Sequence, residues 1–341
     1  MQKKISSIEL VRFFAALSVV LFHYNICFNQ ENVLSTEILP LSTYFNYLYR
    51  YGYYGVDIFF IISGFVFSSV YLDSKATISA KSFFIKRFAR LYPLHLATLI
   101  ILIFIGFLDF NFFEKYHSDN QIYTDFYHFF LQFFFISFWG FEDGYSFNAP
   151  SWSISIEIGI YIFFFFLINL LKVFKIKLAL IITIFFFILT KLKNIDFIFN
   201  QYLFLFFMGV VIYQIPKFKN SIALILIALF AIIFSFVGNF KILLFCPALL
   251  ILILILENLI QKNNFQNIFN FLGNMSYSIY LIHYPLIFFF LMLENKEIMP
   301  SNYYYNFSFT FFFLVLLFLL SFLSFKFFEN PINKKIRSKF L

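Results

Sequence analysis

Charge is the scarcest property of this sequence: Asp, Glu, Lys and Arg make up 12% of its 341 residues, against roughly 25% in a soluble domain. With 62% of residues hydrophobic, composition excludes a water-soluble fold. Cysteine is nearly absent too. Cys27 and Cys246 both lie in apolar surroundings without metal-ligand spacing, so they read as buried hydrophobes, and neither redox chemistry nor a metal site is expected. No internal repeat and no domain linker interrupts the chain. Once the apolar runs are assigned, no stretch remains for a soluble catalytic domain. The expectation is one membrane domain over residues 1–341 with no appended soluble domain.

What fills the sequence instead is hydrocarbon. A membrane-spanning helix needs about 20 mostly apolar residues. Ten segments carry that pattern: Ile8 to Phe28, Gly52 to Leu72, Leu91 to Leu108, Ser151 to Leu171, Leu178 to Leu192, Phe197 to Tyr213, Ser221 to Val237, Ile242 to Glu257, Ser276 to Leu293 and Asn306 to Phe327. The expected fold is all-α, a polytopic transmembrane bundle of about ten spans. Its Phe-rich helices, apolar all round, suit a lipid-facing position. The first apolar stretch holds Glu9, Arg12 and His23 and lacks a small-residue cleavage site, so it reads as a retained helix and not as a signal peptide.

An eleventh apolar stretch, Phe126 to Phe141, is arbitrated by the positive-inside rule. If it does not cross, eighteen of the 25 Lys and Arg residues fall on inside loops and ends and six outside, with Arg12 left in a helix. If it crosses, Lys172, Lys175 and Lys177 move outside while Glu142 and Asp143 move in. The segment is therefore expected to be re-entrant or interfacial, with both termini in the cytosol. The same distribution accounts for the net charge of +8 without a nucleic-acid partner.

A charge at the centre of a membrane helix costs about 2.5–3.5 kcal/mol even on mild scales, so each one retained is a candidate functional group. Arg12 and His23 share the first helix, eleven residues apart, which places them within about 20° of one face at 100° per residue. Arg12 can equally pair with Glu9 at the cytosolic interface. His23 suits a general base or transient acyl carrier, since imidazole ionises nearest neutrality; a histidine satisfied by a neighbouring helix is the plainer alternative. Asp57, entering the second helix from outside, can orient such an imidazole or simply favour its helix N-terminus. Glu157 follows Ser151, Ser153 and Ser155. Hydrogen bonding between helices explains the serines but not the carboxylate.

Two further clusters stand out. Arg87 and Arg90 precede the third span and share a face if that stretch is helical, so they can clamp a phosphate or serve only as inside positive charge. Ser276, Tyr280 and His283 share a face of the ninth span; for His283, a hydrogen bond between helices is the alternative.

These motifs, taken in order, resemble acyltransferase family 3. The likeness rests on Arg12 with His23, on Gly55-Val56-Asp57-x-Phe59-Phe60-x-x-Ser63-Gly64-Phe65, and on Arg87-x-x-Arg90-x-Tyr92-Pro93. It continues through Trp152 to Glu157, Ser276 to His283, and Phe328-Glu329-Asn330-Pro331, and so covers the full chain. Glu9 stands where an aspartate is usual, and Ile158 where a second glutamate is common. The resemblance implies a membrane O-acyltransferase, acting as an O-acetyltransferase, that moves an acyl group from cytosolic acetyl-CoA to a hydroxyl of a cell-surface glycan such as lipopolysaccharide O-antigen or exopolysaccharide, in a bacterial cytoplasmic (inner) membrane. It implies His23 as the catalytic residue, supported by Asp57 or Glu157. Arg12, Arg87, Arg90 and Tyr92 would meet the acyl-CoA, and Trp152, Ser155, Tyr280 and His283 the acceptor. A transporter or flippase is the rival, since charges inside a bundle also mark transport pathways; the lack of repeated halves and of paired broken helices speaks against it.

Overall fold

In hydrocarbon every backbone N–H and C=O must be satisfied within the chain, which makes the helix the default solution for these apolar runs. The computed structural model describes residues 5–29, 35–74, 77–109, 122–192, 198–215, 228, 241–260 and 265–341. Its helices are α1 (Ser6–Phe28), α2 (Ser42–Tyr51), α3 (Gly55–Tyr71), α4 (Ala80–Leu108), α5 (Phe126–Phe133), α6 (Trp152–Leu189), α7 (Ile198–Gln214), α8 (Lys241–Ile260), α9 (Gln266–Asn295), α10 (Phe307–Leu323) and α11 (Asn330–Phe340). Two short strands, β1 (Ile122–Tyr123) and β2 (Tyr145–Ser146), pair in parallel.

Among the described residues, six helical stretches are long and apolar enough to cross a membrane: Ser6–Phe28, Ser42–Tyr71, Ala80–Leu108, Ala149–Leu189, Gln266–Asn295 and Phe307–Phe340. The chain is a multi-pass membrane protein. The difference from ten expected spans has physical sources. Ser151 to Leu171 and Leu178 to Leu192 lie on either side of a kink at Lys175 (φ 49°, ψ −134°), where two helices meet within α6 in a backbone conformation that side chains disfavour, and the stretch Ala149–Leu189 counts once among the six. Two further apolar helices, Ile198–Gln214 and Phe245–Ile255, are shorter. The expected span Ser221 to Val237 lies outside the described residues, apart from Ala228. Within Phe126 to Phe141, helix α5 covers eight residues, about 12 Å of rise, against a hydrocarbon core of about 30 Å. Positive φ angles at Phe135 and Phe138 follow it.

The chain divides into two compact units. The first comprises Met1–Ala15, Tyr54–Ser79 and Glu157–Asn274. Its tightest packing is α3 against α7. A Cβ added to Gly64 would strike the Phe206 carbonyl, and one added to Gly209 would strike the Ile61 carbonyl, so the two glycines admit backbone to backbone contact in both directions. Small residues are how membrane helices approach closely without a hydrophobic driving force. In the same unit Glu257 of α8 accepts from the Ser6 amide (3.2 Å) and the Ser7 amide (2.8 Å), satisfying the otherwise open donors at the start of α1.

The second unit comprises Ala16–Tyr53, Ala80–Ile156 and Met275–Leu341. Here the Tyr24 hydroxyl of α1 bonds the Tyr304 carbonyl (2.7 Å) and Thr310 (2.9 Å), and the Tyr277 hydroxyl donates to the Leu91 carbonyl at 2.6 Å. A π-helical turn, Ser324–Glu329, separates α10 from α11, and its Glu329 accepts from Ser278 at 2.7 Å. Asp125 caps α5 by accepting from the His128 amide (2.9 Å) and meeting its ring Nδ1 (2.7 Å). Desolvation pushes the Asp125 carboxyl up, but the His128 donors prevail and hold it below the usual carboxylate range. The cap is therefore present at neutral pH and lost as the pH falls through that lowered value.

Replacing Gly64 or Gly209 by leucine should lower the thermal unfolding midpoint of the detergent-purified protein, at a cost of about 1–3 kcal/mol or more. Alanine should already do so measurably, because the obstructing atoms are backbone carbonyls that cannot rotate away.

Candidate active site

In the second unit α1 and α9 bring two imidazoles together. His23 Nδ1 lies 2.9 Å from the Val19 carbonyl one turn earlier and 3.2 Å from His283 Nε2. His283 Nδ1 in turn lies 3.3 Å from the Ile279 carbonyl. The ring centroids are 5.0 Å apart, and Tyr284 meets the His23 ring edge-on at 5.6 Å. His283 is fully buried while His23 is half-buried. Pairing with a neighbouring helix, the plainer alternative for each histidine, thus describes their contact, but the partner is a second titratable ring.

Beside His283 on α9, the Tyr280 hydroxyl lies 2.8 Å from both Ser153 Oγ and the Pro150 carbonyl. Ser155 is tied differently: its hydroxyl donates to the Phe135 carbonyl (2.7 Å), and its carbonyl accepts from Trp139 Nε1 (3.1 Å). Trp152 is half-buried, with its ring 5.5 Å from Phe138. These contacts tie the segment after α5 to the start of α6.

Arg87, Arg90 and Tyr92 lie on α4, whose helix is continuous through all three, so the two arginines share a face at i, i+3. Arg87 lies over the Phe83 ring at 5.9 Å, and Tyr92 stacks on Phe88 at 4.5 Å. Both arginines are half-buried.

The remaining predicted residues belong to the first unit. Arg12 pairs with Glu9 at 3.1 Å, and the Glu9 side chain packs where Gly273 lacks a Cβ. Asp57 is buried and accepts from Gln201 Nε2 at 2.9 Å. Glu157 accepts from Ser63 (2.8 Å) and from the Tyr161 hydroxyl. The structure thus groups His23 with His283, Tyr280 with Ser153, Asp57 with Gln201, and Glu157 with Ser63 and Tyr161.

Sequence reasoning passed over several of these polar residues. His95 of α4 is buried, with Nε2 2.9 Å from the Gln132 carbonyl. The Gln132 side chain meets Ser146 and Ser151. Asn148 donates to Thr98 (3.1 Å) and to the Leu281 carbonyl (3.2 Å). His95 carried the same signal as His23, an imidazole inside an apolar span; Asn148 and Gln132 sit in a segment whose composition does not mark them.

The family model described as an acyltransferase domain, that of acyltransferase family 3, matches residues 5–326. The chain belongs to this family. It is 30% identical over 157 residues to acyltransferase MdmB of Streptomyces mycarofaciens, covering 45% of this chain and 36% of that protein. It is 25% identical over 170 residues to peptidoglycan O-acetyltransferase OatA of Listeria monocytogenes, covering 46% of this chain and 23% of that one. The match thus spans about a third and a quarter of these relatives' own lengths. No solved structure matches.

Gln201→Leu should destabilise the protein by roughly 1–3 kcal/mol by leaving a buried Asp57 oxygen without its donor. The loss should shrink when Asp57 is replaced by leucine as well, a double-mutant cycle read by thermal unfolding in detergent.

Proposed function

We propose that this protein is an O-acyltransferase of the bacterial cytoplasmic membrane that moves an acyl group, acetyl in the simplest case, from acyl-CoA at the cytosolic face to a hydroxyl of a cell-surface glycan. The observation that carries this reading is the half-buried His23, paired with a second imidazole inside an apolar bundle, in a chain of an acyltransferase family. A histidine there can accept the hydroxyl proton or the acyl group itself. Family membership favours group transfer over transport. The relative named as a peptidoglycan O-acetyltransferase supports a glycan acceptor.

On this reading both termini face the cytosol and the inside positive charge includes Arg87 and Arg90. Their guanidinium groups, on one face of α4, suit the phosphates of the CoA moiety, with Tyr92 beside them and Arg12 on the cytosolic part of α1. The buried Asp57 and the half-buried Glu157 would support the reaction as carboxylates, and Trp152, Ser155 and Tyr280 would border the acceptor.

The test is the O-acyl content of surface polysaccharide from cells with wild-type protein, no protein, or His23→Ala, at matched membrane levels. Acylation should depend on the protein and fall to the level of the deletion with His23→Ala; normal acylation by that variant would remove His23 from the chemistry. In membranes given acetyl-CoA, Arg87→Gln and Arg90→Gln should each raise the KM for the donor by roughly 10- to 100-fold, the worth of a hydrogen bond to a charged group. Their kcat should change less.

A further inference from the structure

The donors and acceptors around His23 determine which of its nitrogens can react. A carbonyl oxygen only accepts, so a ring nitrogen 2.9 Å from the Val19 carbonyl must carry a proton. His23 is therefore protonated on Nδ1 in its neutral form. The Ile279 carbonyl imposes the same state on His283, whose Nδ1 lies 3.3 Å away. His283 Nε2 is left with a lone pair, and that lone pair faces the Nδ1–H of His23 at 3.2 Å. The opposite arrangement would set a lone pair of each ring against a carbonyl oxygen. Two helix carbonyls, each four residues before its histidine, thus fix both tautomers and make their contact a hydrogen bond from His23 to His283.

We propose that His23 reacts through Nε2 and that His283 is the positioning residue that holds it there, sharing the Nδ1 proton with the Val19 carbonyl. This rests on the acyltransferase reading and gives His283 a task other than touching the acceptor. For direct transfer, His23 Nε2 takes the proton of the acceptor hydroxyl as that oxygen bonds to the thioester carbonyl carbon. The C–S bond then breaks with its electron pair on sulfur, and Nε2 returns the proton to the thiolate, leaving an ester and a free thiol. The imidazolium formed in between carries its second proton on Nδ1, where the His283 lone pair and the Val19 carbonyl both accept from it. A group of this kind orients the base and stabilises its charged form, as the third member of a triad does, but here a neutral imidazole does it without a second charge in the hydrocarbon. His283 is fully buried, so water does not compete for that lone pair.

The tautomers can be read directly. Full-length protein labelled with 15N- and 13C-histidine, in lipid bilayers, should give ring shifts of the Nδ1–H form for His23 and for His283, each assigned by the signal lost in His23→Gln or His283→Gln. An Nε2–H form at His23 would overturn the proposal. This readout uses the resting protein, so it decides the matter even if no acyl transfer is found, and the failure of the two readings stays distinguishable. In the transfer assay with acetyl-CoA, His283→Leu should lower kcat by roughly 10- to 100-fold with little change in the donor KM. His283→Gln, whose amide oxygen can still accept, should recover part of that loss at equal membrane abundance. Full activity in His283→Leu, or equal loss in both variants when both are folded, would also overturn it.

Discussion

A polar atom inside hydrocarbon has no water to fall back on, and the side-chain arrangement of this protein follows from that constraint. Three carboxylates in or at the ends of apolar helices accept from donors on another helix: Asp57 from Gln201, Glu157 from Ser63, Glu257 from the first amides of α1. Such pairs need their helices at fixed separations. The glycine contacts between α3 and α7 supply one of them, bringing Gly64 and Gly209 against the opposing backbone within the unit that holds Asp57 and Gln201.

The same constraint shapes the histidines. Inside a span the carbonyl one turn earlier lies within reach of a ring nitrogen, and at both His23 and His283 the ring turns to it. The bond that satisfies each ring also selects the nitrogen that remains available. Local helix geometry therefore does chemical work before any substrate arrives, and only the contact between the two rings requires tertiary structure.

How much of this was legible in the sequence depends on whether a residue announces itself alone or only with its partner. Hydropathy marks the apolar stretches because lipid acts on every residue of a span. His23, Asp57, Glu157 and His283 stand out because each is costly where it sits. Gln201 and Glu257 do not: one is an uncharged residue near the start of an apolar span and the other lies at a span end, and their roles depend on residues 144 and about 250 positions away. The pairing of His23 with His283 crosses 260 positions. The lysines at 172, 175 and 177 mark a break between two apolar runs, and the backbone leaves the helix at Lys175, between the two helices of α6.

The carboxylate at the start of α1 also has a bearing on biosynthesis. Chains are made from the amino terminus, and Ser6 and Ser7 are separated from Glu257 by 251 and 250 residues. Helix α1 is thus made well before α8, and its leading amides wait for that helix before this side chain satisfies them, so this part of the first unit closes around a helix already in place.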